Sequence, residues 1–346
     1  MKSHAYPVYT FLLGCILSTT TILFLQSNTS PIAQSNLQGI HSSFHRRTQT
    51  SNGYDTSYLQ STNTPKRMLL GIFTIMEEKE IRNKLREYIY RNPKRADPRL
   101  CSLPEFIQKQ EEGQPCECQV VYTFVIGANT GPNGQYIHRD DSKTPLIVNQ
   151  QYIADFEPDV TYLNVHENMN KGKTPTWFKY ANGLSRSFGE NGFNYIGKLD
   201  SDTLISVPNL IHMINHDLPS EAKNVYGGIV CDEKACGDPE RCHEILQGKV
   251  YMTGQFYFLS LDLASYVSDD ALNRAAISSY SEDVDMGLWV HSSNQILKLV
   301  ILNNKNVFWI HNVKNMDRLE EKYTDYFVRQ RKFPMYTFWL KPKWWD

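Results

Sequence analysis

Residues 68–90 read MLLGIFTIMEEKEIRNKLREYIY, and the change of rhythm inside that stretch decides the fold. Its first eight residues form a continuous apolar run, the pattern of a strand buried on both faces. From residue 77 the period lengthens: Ile81, Leu85, Tyr88 and Ile89 fall at helical spacing, with acids in the first turn, where the helix dipole favours them. The alternation repeats downstream. A second β-branched run lies at 120–126, then a helix is expected around 150–156, a strand at 160–165, a helix at about 175–188 and a strand at 193–199. Strands alternating with helices imply an α/β fold with a mostly parallel central sheet flanked by helices. In such sheets ligands bind at the carboxyl ends of the strands.

The chain of 346 residues is 41% hydrophobic and 21% charged, as in an ordinary folded protein, and 36 Lys+Arg against 37 Asp+Glu leave a formal net charge of -1. With no long block of like charge, binding to nucleic acid is not expected. A mean hydropathy of -0.46 excludes a polytopic membrane protein, which needs repeated runs of about 20 apolar residues. One run of that kind exists, the uncharged VYTFLLGCILSTTTILFL at 8–25. Lys2 precedes it and no Lys or Arg follows until Arg46, which predicts a cytoplasmic N-terminus and a lumenal remainder. The competing reading is a cleaved signal peptide, but no small-x-small site follows the run. Residues 1–26 are therefore expected to be tail and transmembrane anchor. Residues 27–65, rich in Ser, Thr, Asn and Gln, are expected to be a disordered stem, and 66–346 the globular domain. Asn28-Thr29-Ser30 matches a glycosylation site but lies close to the span.

Six cysteines follow the stem: Cys101, Cys116, Cys118, Cys231, Cys236 and Cys242. An even number on an oxidising side predicts disulfides, with fifteen pairings open. A zinc site from Cys231, Cys236, Cys242 and His243 is the alternative, although its spacings match no paired CxxC pattern.

The strand at 193–199 runs directly into Asp200-Ser201-Asp202. Two carboxylates at i and i+2 leaving a strand can converge on one hard cation. A second pair, Asp283 and Asp285, follows Ser281 in a helical period, with Ser281 as the N-cap. The aromatic run VYMTGQFYFLS at 250–260 is interrupted by Gly254, which marks backbone approached closely by a ligand or another strand. Residues 307–314, VFWIHNVK, contain His311 and end in Lys314. Imidazole suits a transition-metal ion and lysine a phosphate, while a hydrogen-bonded core histidine is the competing reading of His311. The His212/His216 pair lacks the adjacent glutamate of a zinc helix and reads as surface or packing. Tyr336, Phe338, Trp339, Trp344 and Trp345 could stack on a sugar or pack beneath the sheet.

Taken in order, a set of short motifs resembles the β-1,3-galactosyltransferase/N-acetylglucosaminyltransferase family of type II Golgi enzymes. They are Ile81-Arg82, Lys173-Thr174 with Trp177, Lys198-x-Asp200-Ser201-Asp202, Tyr251-x-x-Gly254-x-x-Tyr257-x-x-Ser260, Glu282-Asp283-Val284-x-x-Gly287 and His311-Asn312-Val313-Lys314. The resemblance implies a GT-A fold, a UDP-sugar donor, a divalent metal, usually manganese, and inversion at the anomeric carbon. It also implies a glycan acceptor on protein or lipid, and a single-pass Golgi membrane protein with a lumenal catalytic domain. Galactose is the favoured sugar and N-acetylglucosamine the other choice. Asp200, Asp202 and His311 are then the expected metal ligands, and Arg82, Asp200, Gly254 and Lys314 the expected donor contacts. Asp283 is the expected general base, since the attacking hydroxyl must lose its proton. The sequence departs from the family where Ser201 replaces a frequent third acid and Lys84-Leu85 a usual Thr-Trp pair. An inactive transferase-like partner or chaperone is the alternative function.

Overall fold

Strand β1, Met68–Phe73, is buried along its whole length and separates two core layers. Met68, Leu70 and Ile72 pack into one cluster, and Leu69 and Phe73 into the other. A strand covered on both faces needs apolar residues at odd and even positions alike, hence the unbroken run. The computed structural model describes residues 65–90, 97–128, 146–153, 155–168, 172–231, 249–268, 281–302, 309–310 and 337–340. The apolar run at 8–25, the stem through residue 64, Asn28, Cys236, Cys242, His243, His311, Lys314, Tyr336, Trp344 and Trp345 lie outside the described residues. Among the described residues no helix is long and apolar enough to cross a membrane.

Strands β2 (Leu100–Ser102), β3 (Val120–Gly127), β4 (Val160–Leu163) and β5 (Tyr195–Asp200) join β1 in parallel. β3 and β5 flank β1, and β2 and β4 share the outer edge of β3 end to end. Beyond β5 the sheet as a whole stays mostly parallel, with two reversed strands among the described residues. β8 (Tyr251–Ser260) runs antiparallel to both β5 and β7 (Val225–Cys231). β7 and β8 are consecutive in the chain and adjacent in the sheet, so the connection reverses direction where a helical crossover would preserve it. β9 (Lys298–Leu302) is parallel to β7, and β11 (Thr337–Leu340), which carries Phe338 and Trp339, closes the edge antiparallel to β9. The order is β11-β9-β7-β8-β5-β1-β3-β2, with β4 beside β3. A small second sheet pairs β6 (Leu204–Ile205) with β10 (Trp309–Ile310). This mixed α/β layout fits a GT-A-like fold.

The helix expected over 77–90 forms as a 3-10 turn (Met76–Glu78), helix α1 (Lys79–Leu85) and a π turn (Arg86–Tyr90). The carbonyls of Ile75 and Met76 accept from the Arg82 guanidinium, which ties the turn after β1 to the helix interior. Helix α2 (Leu103–Glu111) is opened by a Ser102/Glu105 capping box. Its signature, Ser102-Leu103-Pro104-Glu105, stands in the sequence, but the alternation of apolar runs passes over it. The helix expected at 150–156 is a single 3-10 turn, Gln150–Tyr152, after which Ile153 is extended. Pro158 further disfavours helix in the residue before it. Helix α3 (Lys173–Ser187) begins two residues earlier than expected. Its Trp177 packs against Gly71, where an added Cβ would stand 2.5 Å from the indole, and its Nε1 donates to Gly197 O at 3.1 Å. Helices α4 (Val207–His212), α5 (Leu261–Val267) and α6 (Glu282–Ser292) complete the described set. His212 and His216 are exposed, with ring centroids 4.5 Å apart, in keeping with a surface pair.

Of the open cysteine pairings, the structure selects Cys101–Cys118, which fastens β2 to the entry of β3. Closing a segment with a sequence separation of 17 restricts the unfolded chain, and the chain-entropy relation puts that effect at about 3 kcal/mol. The double variant Cys101→Ser/Cys118→Ser is therefore expected to lower the urea midpoint and to raise the slope, since the unbridged unfolded chain is less compact. Equal midpoints for variant and parent would remove the bridge from the list of stabilising features.

Candidate active site

The register of the sheet gathers the chemistry at the carboxyl ends of β1 and β5, where Phe73 pairs with Asp200. Lys198 and Asp200 are two apart on β5 and so share one face. The chain then turns tightly: Ser201 N donates to Phe73 O at 3.0 Å and Thr203 N to Asp200 O at 3.0 Å. Asp200 and Asp202 thereby leave the sheet on one short turn, as the spacing predicts.

β8 and α6 face this turn. Ser281 caps α6 through its side chain, and Glu282, Asp283 and Asp285 occupy the first turn, where the helix dipole stabilises carboxylates. Asp283 Oδ2 accepts from Gly254 N at 2.7 Å. Its Oδ1 lies 3.5 Å from Lys198 Nζ, which also meets Asp200 Oδ1 at 3.2 Å, Glu282 Oε1 at 3.6 Å and Gly254 O at 3.4 Å. The ammonium sits over the rings of Phe73 and Tyr257 as well. Gly254 is required by this crowding, since an added Cβ would stand 2.7 Å from Lys198 Nζ and 2.8 Å from the Asp283 carboxylate oxygens. The expected close approach at Gly254 is thus to side chains of the protein itself.

A second ring of contacts holds the strand ends. Lys173, the first residue of α3, donates to Thr74 O at 2.7 Å and to both Glu167 oxygens at 2.8 Å. Glu167 in turn accepts from Gly127 N at the end of β3. Thr174 donates to Glu282 in a short hydrogen bond. Glu78 accepts from Thr74 Oγ1 at 2.8 Å and from Ser201 Oγ at 2.9 Å, so a carboxylate from the turn after β1 stands beside the position where the family often has its third acid.

One expectation changes in this setting. Arg82 is fully buried, and its five N–H groups go to both oxygens of Glu157, to Thr74 Oγ1, to Ile75 O and to Met76 O. No donor is left for a diphosphate, and the guanidinium instead braces the turn after β1. Asp285 is turned away from Asp283 by the 100° per residue of the helix, as its spacing predicts, and lies in the interior at 3% exposure. His311 and Lys314 are outside the described residues. The residues passed over are Lys198, Glu282 and Thr174, named in the motifs without a role, and Glu78 and Glu167. A lysine inside the buried strand YIGKLD was itself a signal, because an ammonium is seldom buried unpaired.

The electrostatics follow from burial. Desolvation lifts Glu282 to about 7, against the pull of Lys198 and the Thr174 hydrogen bond. Desolvation likewise raises Asp200 in spite of Lys198. For Lys198 burial acts downward, but Asp200, Asp283 and Glu282 together hold it well above its ordinary value. Lys173 is lowered by burial, with Glu167 opposing. A carboxyl whose folded value is raised binds its proton more tightly in the folded chain, so its contribution is full below about 4.5 and is lost as pH rises through about 7. Glu282→Gln is therefore expected to flatten the fall of melting temperature across that window, with the remainder carried by Asp200. A melting curve series with the same slope in parent and variant would contradict the raised value.

A family model described as galactosyltransferase matches residues 107–296, just over half the chain and all of the segments that carry Lys173, Thr174, Lys198, Asp200, Asp202, Gly254, Glu282 and Asp283. No curated protein matches the chain. With the strand-end acids, the capped acidic helix and the α/β frame in place, that match shows that the chain belongs to the galactosyltransferase family, a glycosyltransferase working between a sugar donor and a glycan acceptor.

Proposed function

We propose that the protein transfers a hexose, with galactose favoured and N-acetylglucosamine the other choice, from a UDP-sugar to a hydroxyl of a glycan acceptor on protein or lipid. The transfer inverts the anomeric carbon and uses a divalent ion. The observation that carries this reading is the convergence of the Asp200-Ser201-Asp202 turn and Asp283 on one buried ammonium.

The donor set offered by Asp200 and Asp202 is hard oxygen from one strand-end turn, which fits Mn2+ or a similar cation. Such an ion, when bound, supplies Lewis-acid stabilisation of the negative charge that builds on the leaving diphosphate. Asp200 and Asp202 would hold it; His311 as a further ligand and Lys314 as a phosphate partner are proposed from the sequence alone. The acceptor oxygen forms its bond to the anomeric carbon as the bond from that carbon to UDP breaks, and the hydroxyl proton passes to the Asp283 carboxylate. That carboxylate is held at one oxygen by Gly254 N and at the other by Lys198, with 25% of its side chain exposed. Positioning of this kind is the main source of a catalytic carboxylate's effect. The uncharged run at 8–25 and the polar stem support anchorage in the Golgi membrane as a single-pass type II protein with the catalytic part in the lumen.

The test pairs binding with turnover on the full-length chain, using a panel of UDP-sugars with Mn2+. Asp283→Asn is expected to lower kcat by about 10²- to 10⁴-fold while UDP–Mn2+ affinity stays close to the parent. Asp202→Ala is expected to lose that affinity together with turnover, and EDTA to stop the parent enzyme. Because Asp285 is buried, Asp285→Asn is expected to affect stability before turnover. Loss of UDP–Mn2+ binding in Asp283→Asn would show that the base has been misassigned.

A further inference from the structure

We infer that Lys198 is a positioning residue for this transfer, fixing the Asp283 carboxylate in its accepting geometry and tying it to the strand-end acid Asp200. The inference rests on the reading of Asp283 as the base.

Lys198 stands in a central strand with 7% of its side chain exposed. A lysine there is unfavourable unless its charge is matched by acceptors, and replacing a buried ion pair by apolar residues of similar volume is often neutral or stabilising. Stability therefore does not explain the residue. Geometry does: the stem carries the ammonium from β5 to the head of α6, within 3.6 Å of carboxylate oxygens of Asp200, Glu282 and Asp283. Of the two Asp283 oxygens, one is fixed by the Gly254 amide and the other faces Lys198, so rotation of the carboxylate is restrained from both ends. Gly254 supports the same conclusion from the opposite direction, since the volume a Cβ would take at that position is filled by Lys198 Nζ and the Asp283 carboxylate. Without the cation, three carboxylates would face one another with little water between them, and the mutual repulsion would turn Asp283 out of place or neutralise it.

The experiment measures kcat, acceptor KM and UDP–Mn2+ affinity for Lys198→Met, Lys198→Ala and Lys198→Met/Glu282→Gln, the last removing one of the surrounding acids along with the ammonium to ease the repulsion left behind. Lys198→Met, or the double variant if the single one fails to fold, is expected to lose kcat by about 10²-fold, the scale of a small misplacement of a reacting group. UDP–Mn2+ affinity is expected to stay within about threefold, because the metal-binding carboxylates remain. In Lys198→Ala, added n-propylammonium, which replaces the missing atoms and charge, is expected to restore kcat saturably, whereas 1-propanol is not. Parent-like kcat in a folded Met variant, equal rescue by propanol, or failure of both Met variants to fold would each overturn the positioning role. Failure of the underlying reading looks different: the parent would give no acceptor-dependent transfer, or Asp283→Asn would turn over normally.

Discussion

An ammonium group taken out of water needs acceptors around it, and in this protein four segments of the chain supply them to Lys198. β5 provides the lysine and Asp200, β8 the Gly254 carbonyl, and the first turn of α6 Glu282 and Asp283, while Phe73 at the end of β1 and Tyr257 on β8 give the aromatic faces. Each of these elements has its own reason to form. The sheet and the head of α6 bring them to one point, and there the buried charge finds its acceptors.

The surroundings repeat the device. Lys173 and Glu167 connect the ends of β1 and β3 to the start of α3. Glu78 bridges Thr74 and Ser201, linking the turns after β1 and β5. Arg82 and Arg86 pair with Glu157 and Asp159 and brace the turn after β1 against the segment before β4. Buried ion pairs of this kind add little to stability over apolar packing, but each fixes a direction as well as a distance. The carboxyl end of the sheet is therefore held rigid by polar contacts, while the two apolar clusters behind it supply most of the folding free energy.

Rigidity at that end is what glycosyl transfer demands. In the proposed transfer charge would develop on the leaving group while a proton leaves the attacking hydroxyl, and groups already in place cost nothing to reorganise at that moment. The head of α6 contributes twice, because its free amide groups and dipole favour acids in the first turn and its Ser281 cap sets the direction in which they leave. Ser201, the departure from the family pattern, donates a hydrogen bond to Glu78, a residue distant from it in the chain.

The local elements were legible because they depend on short-range chemistry. The apolar run at β1, the strand ending in Asp200, the Ser281 cap and the glycine in an aromatic strand all follow from side-chain spacing, and the order of motifs was enough to expect the family that residues 107–296 confirm. Other features were decided by tertiary structure. The reversal at β8 depends on which strands become neighbours, and the choice of Cys101–Cys118 depends on the register of β2 with β3. The commitment of Arg82 to Glu157 rests on a partner distant in sequence, and the burial of Asp285 on how α6 packs in the fold. The charge hub at Lys198 belongs to the same class: sequence displayed a lysine in a buried strand and acids elsewhere, but only the folded sheet brings residues 198, 200, 254, 282 and 283 within reach of one another.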